Sequence, residues 1–200
     1  MRTTTSIRNI IDLTLKHGWI LVLAVTMTFN VLLVQELRRR PPVPQPMPTV
    51  EVGAILPDIT LSSYPSRSPV AVSYAKGRTG TILYYMSPGC GWCWRNEPNI
   101  EALLTCVRDK YNFWAISAAF DGLNGYFGQQ QPRYPLLVDD LGELREATNV
   151  SGTPTTIVVD NSGKVLEAWT GAYLNRTADL VSSYFDCSLP GLRDPIAGLN

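Results

Sequence analysis

Residues 81–93 read Thr81-Ile82-Leu83-Tyr84-Tyr85-Met86-Ser87-Pro88-Gly89-Cys90-Gly91-Trp92-Cys93, and they take the chain from one kind of structure into another. The first six are β-branched, aromatic and apolar, which predicts a buried strand. Ser87-Pro88-Gly89 breaks that run, and residues 92–107 read as a helix. Two thiols three residues apart therefore fall where a strand hands over to a helix. In the first helical turn the backbone N–H groups are unpaired and the dipole is positive, so a cysteine there favours its thiolate. The thiolate is the form that attacks disulfides, so Cys90 and Cys93 form a dithiol able to close and reopen as a ring.

Outward from this junction the material changes. The 200 residues suffice for one domain with appendages. The formal charge is zero overall, yet six Lys/Arg fall in residues 1–40 against only Asp12 and Glu36. The remainder is mildly acidic and has no basic stripe to neutralise phosphates, so nucleic acid is not an expected partner. Residues 18–34 carry no charge and are rich in Leu, Val and Ile. As a helix they span about 25 Å, and extension to residue 37 brings them close to a ~30 Å hydrocarbon core. A buried core helix and a cleaved signal peptide are the alternatives. The run has no small-residue cleavage pattern after it and meets Glu36 and three arginines, which points to a retained signal anchor over residues 18–37. Basic residues flank both ends, so charge alone does not orient it. Four cysteines fit an oxidising compartment, which places residues 1–17 in the cytoplasm and the rest outside. The expected location is the inner membrane, single-pass, with the domain facing the periplasm or cell exterior.

Residues 38–49 follow as a linker, with five prolines in residues 41–48. Polyproline-like chain at ~3 Å per residue would hold the next domain roughly 20–25 Å from the membrane. Beyond residue 50, extended stretches are expected at 59–61, 70–74, 81–86, 113–120, 136–138, 155–159 and 165–169. Helices are expected at 90–108, weakly at 121–131, at 141–148, and from a cap at Asn175 or Thr177 to near Cys187. Asp160-Asn161-Ser162-Gly163 reads as a hairpin turn with Gly at a positive φ. Alternating strands and helices closed by a hairpin imply an α/β sandwich with a mixed sheet. Residues 188–200 read as a tail.

The C-x-x-C spacing alone also serves zinc. The one histidine, His17, adjoins the apolar run, and Cys106 and Cys187 lack the close spacing of a second knuckle, so no metal and no cofactor is expected. Gly152-Thr153-Pro154-Thr155-Thr156 stands before an apolar strand about sixty residues after the dithiol. Gly53-Ala54-Ile55-Leu56-Pro57-Asp58-Ile59 opens the domain, and Glu97-Pro98 interrupts the helix. In this order and spacing these motifs resemble the thioredoxin superfamily, in its membrane-anchored TlpA/ResA-like branch, over residues 50–187.

The resemblance implies a thioredoxin-like three-layer sandwich around a mixed sheet, with a cis Thr153–Pro154 bond lying against the dithiol. It implies Cys90 as the attacking thiolate, Cys93 as the resolving thiol, and Thr153, Pro154 and Trp92 at the substrate. Trp94 either joins the apolar rim of Trp92 or packs under the helix. On neighbouring helices of that fold, Cys106 and Cys187 reach similar depth, which gives a structural disulfide; two buried free thiols are the alternative. The chain also departs from the family. Tyr84 stands where thioredoxins bury an Asp, and Asn96 stands where ResA-like proteins carry a Glu. Glu97 is adjacent to Asn96, but one helical residue rotates a side chain by about 100°, which is expected to turn it elsewhere. Ser87 resembles a peroxiredoxin position, but Leu83 stands where that motif has Pro.

The function so implied is a membrane-tethered thiol–disulfide oxidoreductase. Its partners would be extracytoplasmic protein disulfides or dithiols and a membrane-protein redox partner or complex, with reductive service in cytochrome c maturation as the expected pathway. The alternative is a non-catalytic accessory subunit whose fold is a docking platform on a larger membrane complex.

Overall fold

A computed structural model describes residues 4–39, 50–74, 78–128 and 131–193. The chain divides into two compact units, Met1–Pro46 and Met47–Asn200. The first is a single helix, α1 (Thr4–Arg39), within which Gly18–Glu36 is long and apolar enough to cross a membrane, with mean hydropathy 1.8. The proline-rich linker lies outside the described residues.

The second unit is built on seven strands: β1 (Ile59–Ser63), β2 (Pro69–Val72), β3 (Gly80–Met86), β4 (Tyr111–Ser117), β5 (Leu136–Val138), β6 (Thr155–Val159) and β7 (Val165–Thr170). They form one sheet in the order β2-β1-β5-β4-β3-β6-β7. The three central strands β3, β4 and β5 are parallel, with Leu83 level with Trp114 and Ile116 level with Leu137. β1 and β6 join this core antiparallel, and β2 and β7 extend it antiparallel at the edges. The sheet is therefore mixed, as the alternation of elements predicts.

Every residue of β3 is buried. Because successive strand side chains point to opposite faces, Ile82, Tyr84 and Met86 enter one core while Leu83 and Tyr85 enter the other. The first core is covered by α2 (Gly91–Val107), α3 (Leu123–Phe127) and α5 (Arg176–Phe185), through Ile100, Leu103, Leu123, Val181 and Phe185. The second is covered by α4 (Glu143–Thr148) through Leu144, together with Val50 and Leu56 from the segment before β1. These are the three layers. Each fully buried Leu, Ile or Phe contributes about 1.5–3 kcal/mol, so the two-sided burial of β3 fixes the strand that aims the dithiol.

The β6–β7 hairpin turns at Asp160-Asn161-Ser162-Gly163. Asp160 Oδ1 accepts from the Ser162 and Lys164 N–H groups at 2.7 and 3.0 Å. Gly163 has φ +86°, and a Cβ there would lie 2.6 Å from the Leu56 carbonyl, so the turn requires glycine twice over. The last helix starts after Asn175, as expected. However, Asn175 sits at φ 49° with no side-chain capping bond, so its backbone and not its amide shapes the start.

Candidate active site

Cys90 is the residue at which β3 becomes α2. It has extended backbone, φ −88° and ψ 99°, and its sulfur accepts the Cys93 N–H at 3.0 Å, so a sulfur atom does the work of a helix cap. The Cys90 N–H donates to the Ser87 carbonyl at 3.0 Å, which seats the turn made by Ser87-Pro88-Gly89. Cys90 and Cys93 are joined as a disulfide with Cα atoms 5.2 Å apart. Their surroundings differ: Cys90 is partly exposed, whereas Cys93 has 0% exposure. An outside sulfur therefore meets Cys90.

The loop before β6 faces this pair. The Thr153–Pro154 peptide bond is cis, and the Cys90 sulfur lies 3.5 Å from the Thr153 carbonyl oxygen. Pro154 itself is buried, and its carbonyl is taken by the Gly171 N–H at 2.7 Å. Beside it runs an apolar groove of about 200 Å³ walled by Trp92, Thr153, Pro154, Gly171, Ala172 and Leu174. Trp92 is 50% exposed and carries the Arg95 guanidinium 4.8 Å over its ring. Trp94 does not join this rim. It lines a different cleft and carries Arg193 4.6 Å over its ring.

Asn96 is fully buried one turn after Cys93. Its Oδ1 accepts the Tyr173 backbone N–H at 2.9 Å and the Asn99 amide at 3.0 Å. The Tyr173 hydroxyl in turn bonds Thr156 Oγ1 at 2.6 Å, on β6. Asn96 thus ties α2 to the loop that walls the groove. Its Nδ2 neighbours the Tyr84 hydroxyl, short of full hydrogen-bond geometry. Burial pushes the Tyr84 and Tyr173 phenols far above their ordinary range, so both stay protonated.

Glu97 departs from the expectation that it turns away. A step of 100° moves a side chain from one side of the Cys93 line to the other, and both i+3 and i+4 share the face of residue i. Glu97 is accordingly buried, at 7% exposure, on the same side of the sheet as Cys93. Its Oε1 accepts hydroxyl hydrogens from Tyr126 at 2.8 Å and Tyr134 at 2.7 Å. Burial raises its carboxyl above the usual carboxylate range; the two tyrosine bonds and Arg193 pull the other way without cancelling it. Glu97 lines the Trp94 cleft, about 160 Å³, with Glu101, Tyr126, Arg133 and Arg193.

Cys106, exposed near the end of α2, is joined to buried Cys187 just beyond α5, with Cα atoms 6.1 Å apart. Part of the stretch read as a tail then runs back along α2. The Gly191 N–H donates to Asn99 Oδ1 at 2.9 Å, and the Arg193 N–H donates to the Arg95 carbonyl at 2.7 Å. Tyr126, Tyr134, Tyr173, Leu174 and Arg193 escape a reading of the sequence, since none stands in a motif. The i+4 spacing of Glu97 from Cys93 was the one signal available.

No family model matches the sequence. It is 26% identical over 125 residues to the thiol-disulfide oxidoreductase ResA of Geobacillus thermodenitrificans (strain NG80-2), covering 61% of this chain and 71% of that protein. Among solved structures it is similar to a thiol:disulfide interchange protein DsbE from Chlorobium tepidum, with TM-score 0.57 and 21% identity over 69% of this chain and 95% of that one. StoA from Bacillus subtilis superposes with TM-score 0.51 at 13% identity, over 64% and 97% respectively. The chain therefore has a thioredoxin-like fold and is similar in sequence to a thiol–disulfide oxidoreductase of the ResA type.

Proposed function

We propose that Cys90 and Cys93 exchange disulfides with proteins outside the cytoplasm while α1 tethers the domain to the membrane. One observation carries the reading: the two sulfurs are bonded at a helix start with only Cys90 open to an incoming sulfur, next to the Thr153 carbonyl and an apolar groove. In the reducing direction, the Cys90 thiolate attacks a substrate disulfide and one substrate thiol leaves. Cys93 then attacks Cys90, closing the ring and releasing the second thiol. An extended substrate segment lies along Thr153 and Pro154, with the apolar side chain next to its cysteine held between Trp92 and Leu174.

The family resemblance of the motifs favours the reductive direction, with the cysteines of apocytochrome c as substrate; the likeness to a thiol-disulfide oxidoreductase supports the exchange itself, and the apolar stretch of α1 supports the tether. The full chain in detergent is expected to accelerate insulin reduction by dithiothreitol. Cys90→Ser is expected to abolish that activity, and Cys93→Ser to accumulate mixed disulfides. A reduction potential near about −270 mV marks a reductant and one near about −120 mV an oxidant. An inert parent protein with both cysteines intact would leave the docking-platform reading in its place.

A further inference from the structure

The groove beside Pro154 has a counterpart on the other side of the sheet. A cavity of about 210 Å³ is walled by Tyr85, Ser87, Ala118, Arg145 and residues 150–153. Tyr85 and Val150 belong to the second core and Ala118 packs against it, so this cavity opens on the side covered by α4. The Trp92 groove lies on the side of the first core, which holds Cys93 and Tyr173. Thr153 is the one residue that walls both. Its carbonyl oxygen is also the atom 3.5 Å from the Cys90 sulfur. The reacting sulfur therefore stands at the shared wall, with a cavity on either flank.

The two cavities differ in chemistry. The Trp92 groove has no charged side chain in its wall, whereas the second cavity has one, Arg145. Arg145 Nε donates to the Val150 carbonyl at 3.4 Å, which holds the guanidinium against the loop leading to Thr153. Among the described residues no carboxylate forms an ion pair with it. Buried Asp139 lies outside the cavity wall, and its oxygens accept the Tyr85 hydroxyl at 2.8 Å and the Leu144 and Arg145 N–H groups at 3.2 and 2.8 Å. Burial and the bond to Asp139 keep the Tyr85 phenol protonated, so it adds no negative charge. Glu143 and Glu146 on α4 are exposed and also lie outside the wall. A guanidinium presents a planar fork of donors, and the group that matches it is a carboxylate. An extended chain advances about 3.3 Å per residue and points successive side chains to opposite sides. A polypeptide whose cysteine meets Cys90 thus reaches both cavities with neighbouring side chains. We propose that the Arg145 cavity takes the carboxylate of an Asp or Glu side chain of the substrate polypeptide, on the flank of the substrate cysteine opposite the apolar residue. This deepens the exchange reading and rests on it.

The subsite governs selection and leaves the sulfur chemistry as it is. The Cys90 thiolate attacks the sulfur of the substrate cysteine, and the bond from Cys90 to the substrate forms as the substrate disulfide breaks. The departing sulfur carries away the electron pair and takes a proton from water. No proton or electron passes through Arg145, which holds the segment while the sulfurs align. Because Arg145 is exposed, its attraction for a carboxylate is screened by salt, whereas the contact of an apolar side chain with Trp92 and Leu174 is not. Selectivity for the substrate segment therefore has two parts, and only one of them is sensitive to salt.

The test uses the reduced full chain in detergent and synthetic peptides with one cysteine capped by 2-thiopyridine, whose release reports attack by Cys90. Glu or Gln is placed at each of three positions on either flank of that cysteine. On one flank alone, the parent is expected to react roughly 3- to 10-fold faster with Glu than with Gln, the size of a partly exposed charge-assisted contact. The ratio is expected to shrink as salt is raised and to fall to about one in Arg145→Gln. In Arg145→Glu the preference is expected to pass to peptides with Lys at that position. Each ratio is taken within one protein, so changes in folding or in thiol reactivity cancel. A ratio of one on both flanks, in a parent that reduces insulin, would overturn the subsite and leave the exchange reading standing. A parent inert toward insulin and toward every peptide would overturn the exchange reading and the subsite with it. Oxidised glutathione, a small disulfide bearing carboxylates, separates the two kinds of occupant. If Arg145→Gln slows its reduction yet keeps the parent's Glu-to-Gln ratio, the cavity serves a free carboxylate and the polypeptide assignment is overturned.

Discussion

Asn96 Oδ1 accepts two hydrogen bonds at a position without solvent, and one of them comes from the backbone of a different element. Replacing Asn96 with Ala strands the Tyr173 N–H where no water can reach it. The expected cost is about 1–3 kcal/mol, read as a lower urea midpoint at unchanged slope. At this scale the sequence is legible only in part. Cys90, Cys93 and Pro154 are marked by spacing and by residue type, and the structure brings them together. Asn96 reads as a missing acid because the eye compares one position with a family pattern. Its bonding partner lies 77 residues away in a loop that carries no motif. Glu97 is misjudged for a geometric reason. A rotation of 100° sounds large, yet it straddles the line through Cys93, from about 60° on one side for Asn96 to about 40° on the other for Glu97.

Among elements, β3 and α2 are the most legible, because an unbroken apolar run, a Pro-Gly break and a long helical stretch leave no competing assignment. Four other strands also come through closely: β5 and β6 match their expected residues, and β1 and β7 run slightly longer. The weak helix of residues 121–131 contracts to Leu123–Phe127, where Leu123 supplies the one fully buried contact. The C-terminal stretch is illegible, since Leu189–Arg193 has neither period nor cap and is held by α2 through Asn99 and Arg95. Its approach begins at Cys187, which the bond to Cys106 fixes to the far end of α2. Substituting serine for both Cys106 and Cys187 frees a loop closed across 81 residues. This is expected to cost about 2–4 kcal/mol, measured by chemical denaturation under non-reducing conditions. The Cys90–Cys93 pair is expected to keep exchanging in that variant, because the active-site turn makes its own hydrogen bonds.

Over the whole molecule, the mixed sheet and three layers follow from the order of elements alone, whereas the coupling of charges through the core does not. Glu97 shows this most clearly. Its carboxyl holds a proton more tightly in the folded chain than in the unfolded one. Its contribution therefore favours the fold fully below the ordinary glutamate range, and is lost as pH rises through the raised value. The urea midpoint of the parent is expected to fall relative to Glu97→Gln across that window, and to run parallel to it at more acid pH. Exposed Asp160 has a lowered pKa and acts in the opposite sense: its contribution is present above the ordinary range and is lost as pH falls through the lowered value. Comparing the parent with Glu97→Gln cancels it. The unequal exposure of the two active-site sulfurs has a consequence for traffic. With Cys93 sealed inside the fold, Cys90 is a single berth, and a donor of electrons and their recipient cannot occupy it together. For the proposed exchange, the protein works as a ferry: it discharges one partner before it takes on the next, and carries the electrons between them as its own closed or open ring.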